Sequence, residues 1–147
     1  MNMRLSRSIV GQAEAQAVSR VILEDGYLGM GVETRCFEED LATYLGVEPW
    51  QVITVNSGTA ALHLACDALK ATAWDSRREG RPEILVPTLT FVASFQAITA
   101  AGCVPVPCDV LPDTGTLDLD DAARRITSQT LAVMFVDVFG ANMHICG

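Results

Sequence analysis

The chain has 147 residues, half of them hydrophobic, and its 18 Asp and Glu against 10 Lys and Arg give a formal net charge of −8. Such a length and apolar content suit one folded domain rather than global disorder, and the acidic balance argues against a nucleic-acid backbone or an anionic membrane surface as partner. A small anionic ligand stays open, because a local nest of backbone N–H groups binds phosphate even inside an acidic protein.

The start, MNMRLSRSIVGQAEAQ, carries arginines without a sustained apolar stretch behind them, which predicts no secretory signal and a cytoplasmic location. Over residues 10–24, Val10, Ala13, Ala17, Val18, Val21 and Ile22 recur at helical spacing, and DGYLGMG then interrupts the pattern with three glycines. A helix followed by a mobile or tightly turned loop is expected. A second helix over residues 33–45 places Phe37, Leu41, Tyr44 and Leu45 on a core-facing stripe, with Gly46 as its stop.

VITV, residues 52–55, predicts a buried strand that turns at Asn56, Ser57 and Gly58 into an apolar helix running from Thr59 to about Leu69. KATAWDSRREGRPE then reads as a polar connection. The next strand is ILV, residues 84–86, ended by Pro87; Thr90 caps the helix FVASFQAITAA, which Gly102 terminates. VPVPC, residues 104–108, is a strand whose prolines predict an edge or an irregular ladder. Asp118 caps DLDDAARRI, with Asp121 at the third helical position and Arg124 and Arg125 in the last turn, as the helix dipole favours. LAVMFV is a fourth strand, leading to Asp137 and FGANMHICG.

This alternation predicts an α/β fold with a largely parallel sheet and right-handed crossovers. Residues 84–108 have no charged side chain, yet Pro87, Gly102, Pro105 and Pro107 divide them into short elements of a soluble core rather than a membrane helix. Cysteines 36, 66, 103, 108 and 146 form no CxxC pair and are odd in number, so free, mostly buried thiols are expected; with only His63 and His144 beside them, no metal site is predicted.

The strand-turn-helix around Ser57 is the best local site. Ser57 supplies a hydroxyl, Gly58 permits close approach, and the N–H groups of Thr59 and Ala60 point from the helix start, a set able to coordinate phosphate oxygens. A capped buried helix accounts for the same residues equally well. GYLGMG has the wrong spacing and context for a dinucleotide fingerprint, a phosphate loop with G-K-S/T is absent, and NSG is not a serine elbow. His63 fits a satisfied structural histidine better than a base. Asp109, Asp113, Asp118, Asp120 and Asp121 lack a calcium-loop order and fit a solvated loop and a helix cap. Phe91 follows a strand-ending loop and either stacks on a planar ligand or packs in the core.

Four stretches in order carry a resemblance: DGYLGMGVETRCFEEDLATYLGV, VNSGTAALHLACDAL, ILVPTLTFVASFQAITAAGCVPVPCDV and TLDLDDAARRITSQTLAVMFVDVFG. Together, from about Ser6 to Gly140, they resemble the N-terminal half of the DegT/DnrJ/EryC1/StrS family of pyridoxal-phosphate-dependent sugar aminotransferases. The resemblance implies the type I aminotransferase fold. Residues 8–46 would be an N-terminal helical segment, and residues 50–147 the start of a cofactor-binding α/β domain with an incomplete, mostly parallel sheet. It also implies a homodimer with active sites near the subunit interface.

By the same resemblance Gly58, Thr59 and Ala60 bind the phosphate of pyridoxal 5'-phosphate, Thr59 through side chain and backbone, and Phe91 stacks on the pyridine ring. Asp137 and Phe139 stand where the family commonly has His and Tyr, which puts contacts there in doubt. The family's Schiff-base lysine and pyridinium-pairing carboxylate are expected beyond residue 147. Lys70 is the sole lysine, does not match the family lysine, and reads as a solvated residue at a helix end. No catalytic residue is therefore assigned, and the 147-residue chain alone is expected to be inactive. The implied activity of the longer protein is amino transfer from an amino acid, glutamate, to a keto group of a nucleotide-linked sugar. The alternatives are a pyridoxal-phosphate-dependent deoxysugar dehydratase and a noncatalytic binding or regulatory protein of the same fold.

Overall fold

The structure is a computed structural model that describes residues 8–77 and 79–140; His144 and Cys146 lie outside the described residues. The chain divides between Thr54 and Val55 into two compact units. Among the described residues no helix is long and apolar enough to cross a membrane.

In the first unit, α1 (Gln12–Arg20) begins at Gly11, whose N–H donates to Glu14 Oε2 at 2.7 Å, with the acid at the start and Arg20 at the end as the helix dipole favours. The helix expected to run on to residue 24 instead passes into one wider, π-helical turn, Val21–Asp25, closed by Gly26 at φ 64°. None of α1 is buried, and Val18 is 58% exposed. The glycine loop that follows is tightly turned beneath Tyr27: a Cβ on Gly29 would sit 2.7 Å from Tyr27 Oη, and one on Gly31 3.1 Å from its ring.

Helix α2 (Val32–Leu45) ends as the sequence predicts, at Gly46 with φ 69°. The Gly46 N–H reaches Thr43 O and the Val47 N–H reaches Ala42 O, the paired bonds of a Schellman motif. Its predicted stripe is not a core face. Ala42 is the buried residue of α2 and Leu41 is half-buried, whereas Phe37, Tyr44 and Leu45 are exposed.

Residues 52–55 form no strand. The Thr54 N–H and hydroxyl both donate to Glu38 Oε1, at 2.8 and 2.7 Å, and among the described residues no strand pairs with this segment. A strand needs a neighbour to accept its N–H groups; here a carboxylate takes that role. The Thr54 hydroxyl, and then its N–H, hold the Glu38 carboxyl below the usual carboxylate range.

Among the described residues the second unit is built on a three-stranded parallel sheet with β1 (Glu83–Pro87) between β2 (Val104–Cys108) and β3 (Thr130–Val133). Helix α3 (Gly58–Ala73) precedes β1, α4 (Ala93–Ala100) joins β1 to β2, and α5 (Leu119–Arg125) joins β2 to β3. Alternation along β1 divides the core between two faces. Ile84 and Val86 pack with Cys66, Ile98, Ala101 and Cys103 on one side, and Leu85 with Cys108, Leu117 and Ala122 on the other.

Strand β2 lies at the sheet edge, as its prolines predict. Val104 N–H donates to Pro82 O and Thr88 N–H to Cys108 O, so even-numbered residues of β2 face β1 and the N–H-less Pro105 and Pro107 face the free edge. The described cysteines are free thiols: Cys66, Cys103 and Cys108 are buried and Cys36 is exposed. Burial is the main cause raising the pKa of each of the three buried thiols.

Gly102 stops α4 at φ 73°, with Gly102 N–H on Thr99 O and Cys103 N–H on Ile98 O. Lys70 completes this end. Its Nζ donates to Ala101 O at 2.7 Å and is half-buried, so the solvated lysine expected from the sequence is instead a clamp between the C-terminal ends of α3 and α4.

Asp118 caps α5 as predicted, accepting from the N–H groups of Asp120 and Asp121. Asp121, expected at the third helical position of this capped start, is 8% exposed and holds three donors: Arg125 Nε at 2.6 Å, the Asp109 N–H at 2.8 Å and Arg124 Nη2 at 3.1 Å. The Arg125 bond, followed by the Asp109 N–H, lowers its pKa to about 2. Burial of this side chain is possible because every lone pair facing inward finds a donor.

Candidate cofactor site

In the second unit the carboxyl ends of the parallel strands share one edge, and the residues singled out in the sequence lie toward it. Lys70 bound to Ala101 places the C-terminal end of α3 beside that of α4, which feeds the amino end of β2. The other end of α3, at Ser57 and Gly58, therefore lies toward the carboxyl edge, where the segment after Pro87 presents Phe91. This edge is where parallel α/β sheets bind ligands.

Ser57 is the N-cap of α3, in extended geometry, and its Oγ accepts the Ala60 N–H at 3.2 Å. Ala60 is thus engaged in the cap, and the Ala61 N–H is taken by Ser57 O. The Gly58 and Thr59 N–H groups have no acceptor among the described residues, as expected for the first turn of a helix. The Ser57 hydroxyl proton is held only by a long 3.5 Å contact to Asn56 Oδ1. No acidic residue stands in this first turn. A Cβ added to Gly58 would meet nothing within 4 Å, so no neighbouring side chain crowds this residue. Two free N–H donors at the positive end of the helix, with the hydroxyls of Ser57 and Thr59 beside them in sequence, are a set able to take an anion in an otherwise acidic chain.

Phe91 is 76% exposed, which excludes core packing within this unit. The Thr90 cap expected for α4 does not form. The helix starts two residues later, behind Val92 without a side-chain cap, and Thr90 Oγ1 instead meets Ser94 Oγ at 2.8 Å. His63 is satisfied on the surface of α3, its Nε2 lying 3.2 Å from Asp67 Oδ2.

A phosphate-bearing, planar, aromatic cofactor fits these features: free N–H groups for the anion, room at Gly58 for its approach, and an uncovered flat ring at the same sheet edge. The sequence singled out Ser57, Gly58, Thr59, Ala60 and Phe91 as candidates; of these Gly58 and Thr59 keep free N–H groups and Phe91 an exposed ring, while the Ala60 N–H is taken by Ser57. Sequence reasoning missed the Thr90–Ser94 pair, whose only signal was two hydroxyl residues four apart across a helix start.

Residues 9–146 match the model of the DegT/DnrJ/EryC1/StrS aminotransferase family. A dTDP-4-dehydro-2,3,6-trideoxy-D-glucose 4-aminotransferase from Saccharopolyspora spinosa is 39% identical over 93% of this chain and 34% of its own length. The sugar aminotransferase CalS13 of Micromonospora echinospora is 32% identical with a TM-score of 0.80, over 96% of this chain and 36% of that one. Spr1654 of Streptococcus pneumoniae, solved in its PLP form, is 29% identical with a TM-score of 0.74, over 90% of this chain and 31% of that one. The chain spans about one third of the length of the relatives it matches. Its parallel sheet is part of a type I pyridoxal-phosphate-dependent aminotransferase fold. From α1 to the end of the sheet, this chain belongs to the DegT/DnrJ/EryC1/StrS aminotransferase family.

Proposed function

We propose that the protein carrying this chain is a pyridoxal-phosphate-dependent aminotransferase that moves an amino group from an amino acid, glutamate, to a keto group of a nucleotide-linked sugar, working as a homodimer. The observation that carries the reading is the pair of free N–H groups at Gly58 and Thr59, at the same sheet edge as the exposed ring of Phe91. The family and the nucleotide-sugar aminotransferases among its relatives support the choice of chemistry.

Pyridoxal 5'-phosphate, when bound, supplies an electron sink and a carrier for the amino group. This chain's residues supply the grip. Gly58 and Thr59 hold the phosphate through backbone N–H groups, and the Thr59 hydroxyl adds a donor. Ser57 fixes the turn by capping Ala60 and keeps its own proton for a phosphate oxygen. Phe91 covers one face of the ring and keeps water from it. Of the described residues, 8–54 belong to the helical segment and 55–140 to the start of the cofactor domain.

Lys70 has a different task. It lies 12 positions from Gly58, roughly 18 Å along α3, and its amine is held on Ala101 O. The 147-residue chain alone, with no other lysine, does not carry out amino transfer.

The test is cofactor affinity in the full-length protein. Thr59→Ala removes a charge-assisted hydrogen bond and weakens binding by about 1.5–3 kcal/mol, on the order of tenfold to a hundredfold or more. Parent and variant affinities that coincide would remove the Thr59 hydroxyl from the site.

A further inference from the structure

We propose that Thr90 and Ser94 are positioning residues: their paired hydroxyls hold the backbone at Phe91 so that an otherwise uncovered ring stands ready for the cofactor. The proposal rests on the reading of Phe91 as the stacking residue. With 76% of its surface exposed, Phe91 has little packing within this unit to set its direction. Its backbone must do so.

The hydrogen bonds there form a chain. Ser94 is 4% exposed, so its hydroxyl must find a partner within the protein, and the one it meets is Thr90 Oγ1 at 2.8 Å. Thr90 Oγ1 also lies 3.4 Å from Phe91 O, a contact in which the hydroxyl is the donor and the carbonyl the acceptor. One proton order satisfies both contacts: Ser94 donates to Thr90, and Thr90 donates to the Phe91 carbonyl. Each bond polarises the next. The same carbonyl accepts the Ser94 N–H at 3.1 Å, so Phe91 O is held from two directions across the start of α4. Neither hydroxyl caps the helix in the ordinary way, since the residue before α4, Val92, has no side-chain cap and Thr90 stands two positions further back.

A double-mutant cycle in the full-length protein tests this. Pyridoxal 5'-phosphate is titrated into the apoprotein while the circular dichroism of the bound cofactor and the melting temperature of the apoprotein are followed. Thr90→Val keeps the shape and removes the hydroxyl. It should weaken affinity about tenfold, the effect of one lost hydrogen bond of ordinary strength, and alter the cofactor's dichroism. Thr90→Ser should restore both, and Ser94→Ala should behave like Thr90→Val. In a Phe91→Ala background Thr90→Val should change neither. If Phe91→Ala leaves affinity untouched, the stacking reading and this proposal fail together. If Phe91→Ala weakens binding while Thr90→Val does not, only the positioning role is overturned. Equal loss from Thr90→Val in both backgrounds, or a lower melting temperature with unchanged affinity and dichroism, overturns it as well.

Discussion

Residues 55–140 and residues 8–54 form helices by the same local rules and put them to different use. In the sheet region Ile84 and Val86 face one side of β1 and Leu85 the other, and each side meets helix or loop residues that are themselves buried. In the helical region α1 has no buried residue, and α2 buries Ala42 while Phe37 and Tyr44 stand open. Caps, dipoles and glycine stops suffice to start and end a helix; stable burial needs a second surface. The sheet region is accordingly where a ligand edge can be held rigid.

Core truncation should separate the two regions most strongly. Leu85→Ala or Ile98→Ala, each at a fully buried position, should destabilise the sheet region by about 2–5 kcal/mol in urea unfolding. A loss below about 0.5 kcal/mol would mean that this core is not packed as described.

Asp121→Asn comes next, with an effect that depends on pH. The native carboxyl titrates near 2, below its ordinary value of 3.8, so its contribution is fully present above about pH 4 and is lost as pH falls through 2. The parent should therefore lose stability over that window while the variant, already lacking the charge, loses less. Parallel stability curves for parent and variant between pH 4 and 2 would contradict the three-donor environment of Asp121.

Lys70→Met keeps the stem and removes the ammonium from Ala101 O, at a cost of about 1 kcal/mol that salt reduces. The smallest change belongs to the helical region: Val18→Ala, at a position 58% exposed, should alter thermal stability by less than about 0.5 kcal/mol. A larger loss would show that α1 is covered in solution.

What could be read from the sequence followed the range of the forces involved. Gly46, Gly102 and Asp118 act on neighbours within a few residues, and each ends or begins its helix where expected. Pro105 and Pro107 forecast an edge because a missing N–H is a property of the residue alone. The strand at residues 52–55 failed because β structure depends on a partner, and here Glu38, 16 positions earlier, takes the Thr54 donors. Lys70 was misread for the same reason, Ala101 lying 31 positions away, and the burial of Asp121 was not legible because its partner Asp109 lies 12 positions back. Of the candidate site, Gly58 and Thr59 were legible as a turn before an apolar helix. Which donors stay free was not, since the Ser57 cap on Ala60 is a matter of geometry.

The most direct test of the cofactor site is a structure of the full-length protein with pyridoxal 5'-phosphate bound. The account predicts phosphate oxygens within hydrogen-bond distance of the Gly58 and Thr59 N–H groups and the pyridine ring lying on Phe91. A phosphate bound elsewhere, or a Phe91 ring turned away from the cofactor, would contradict it.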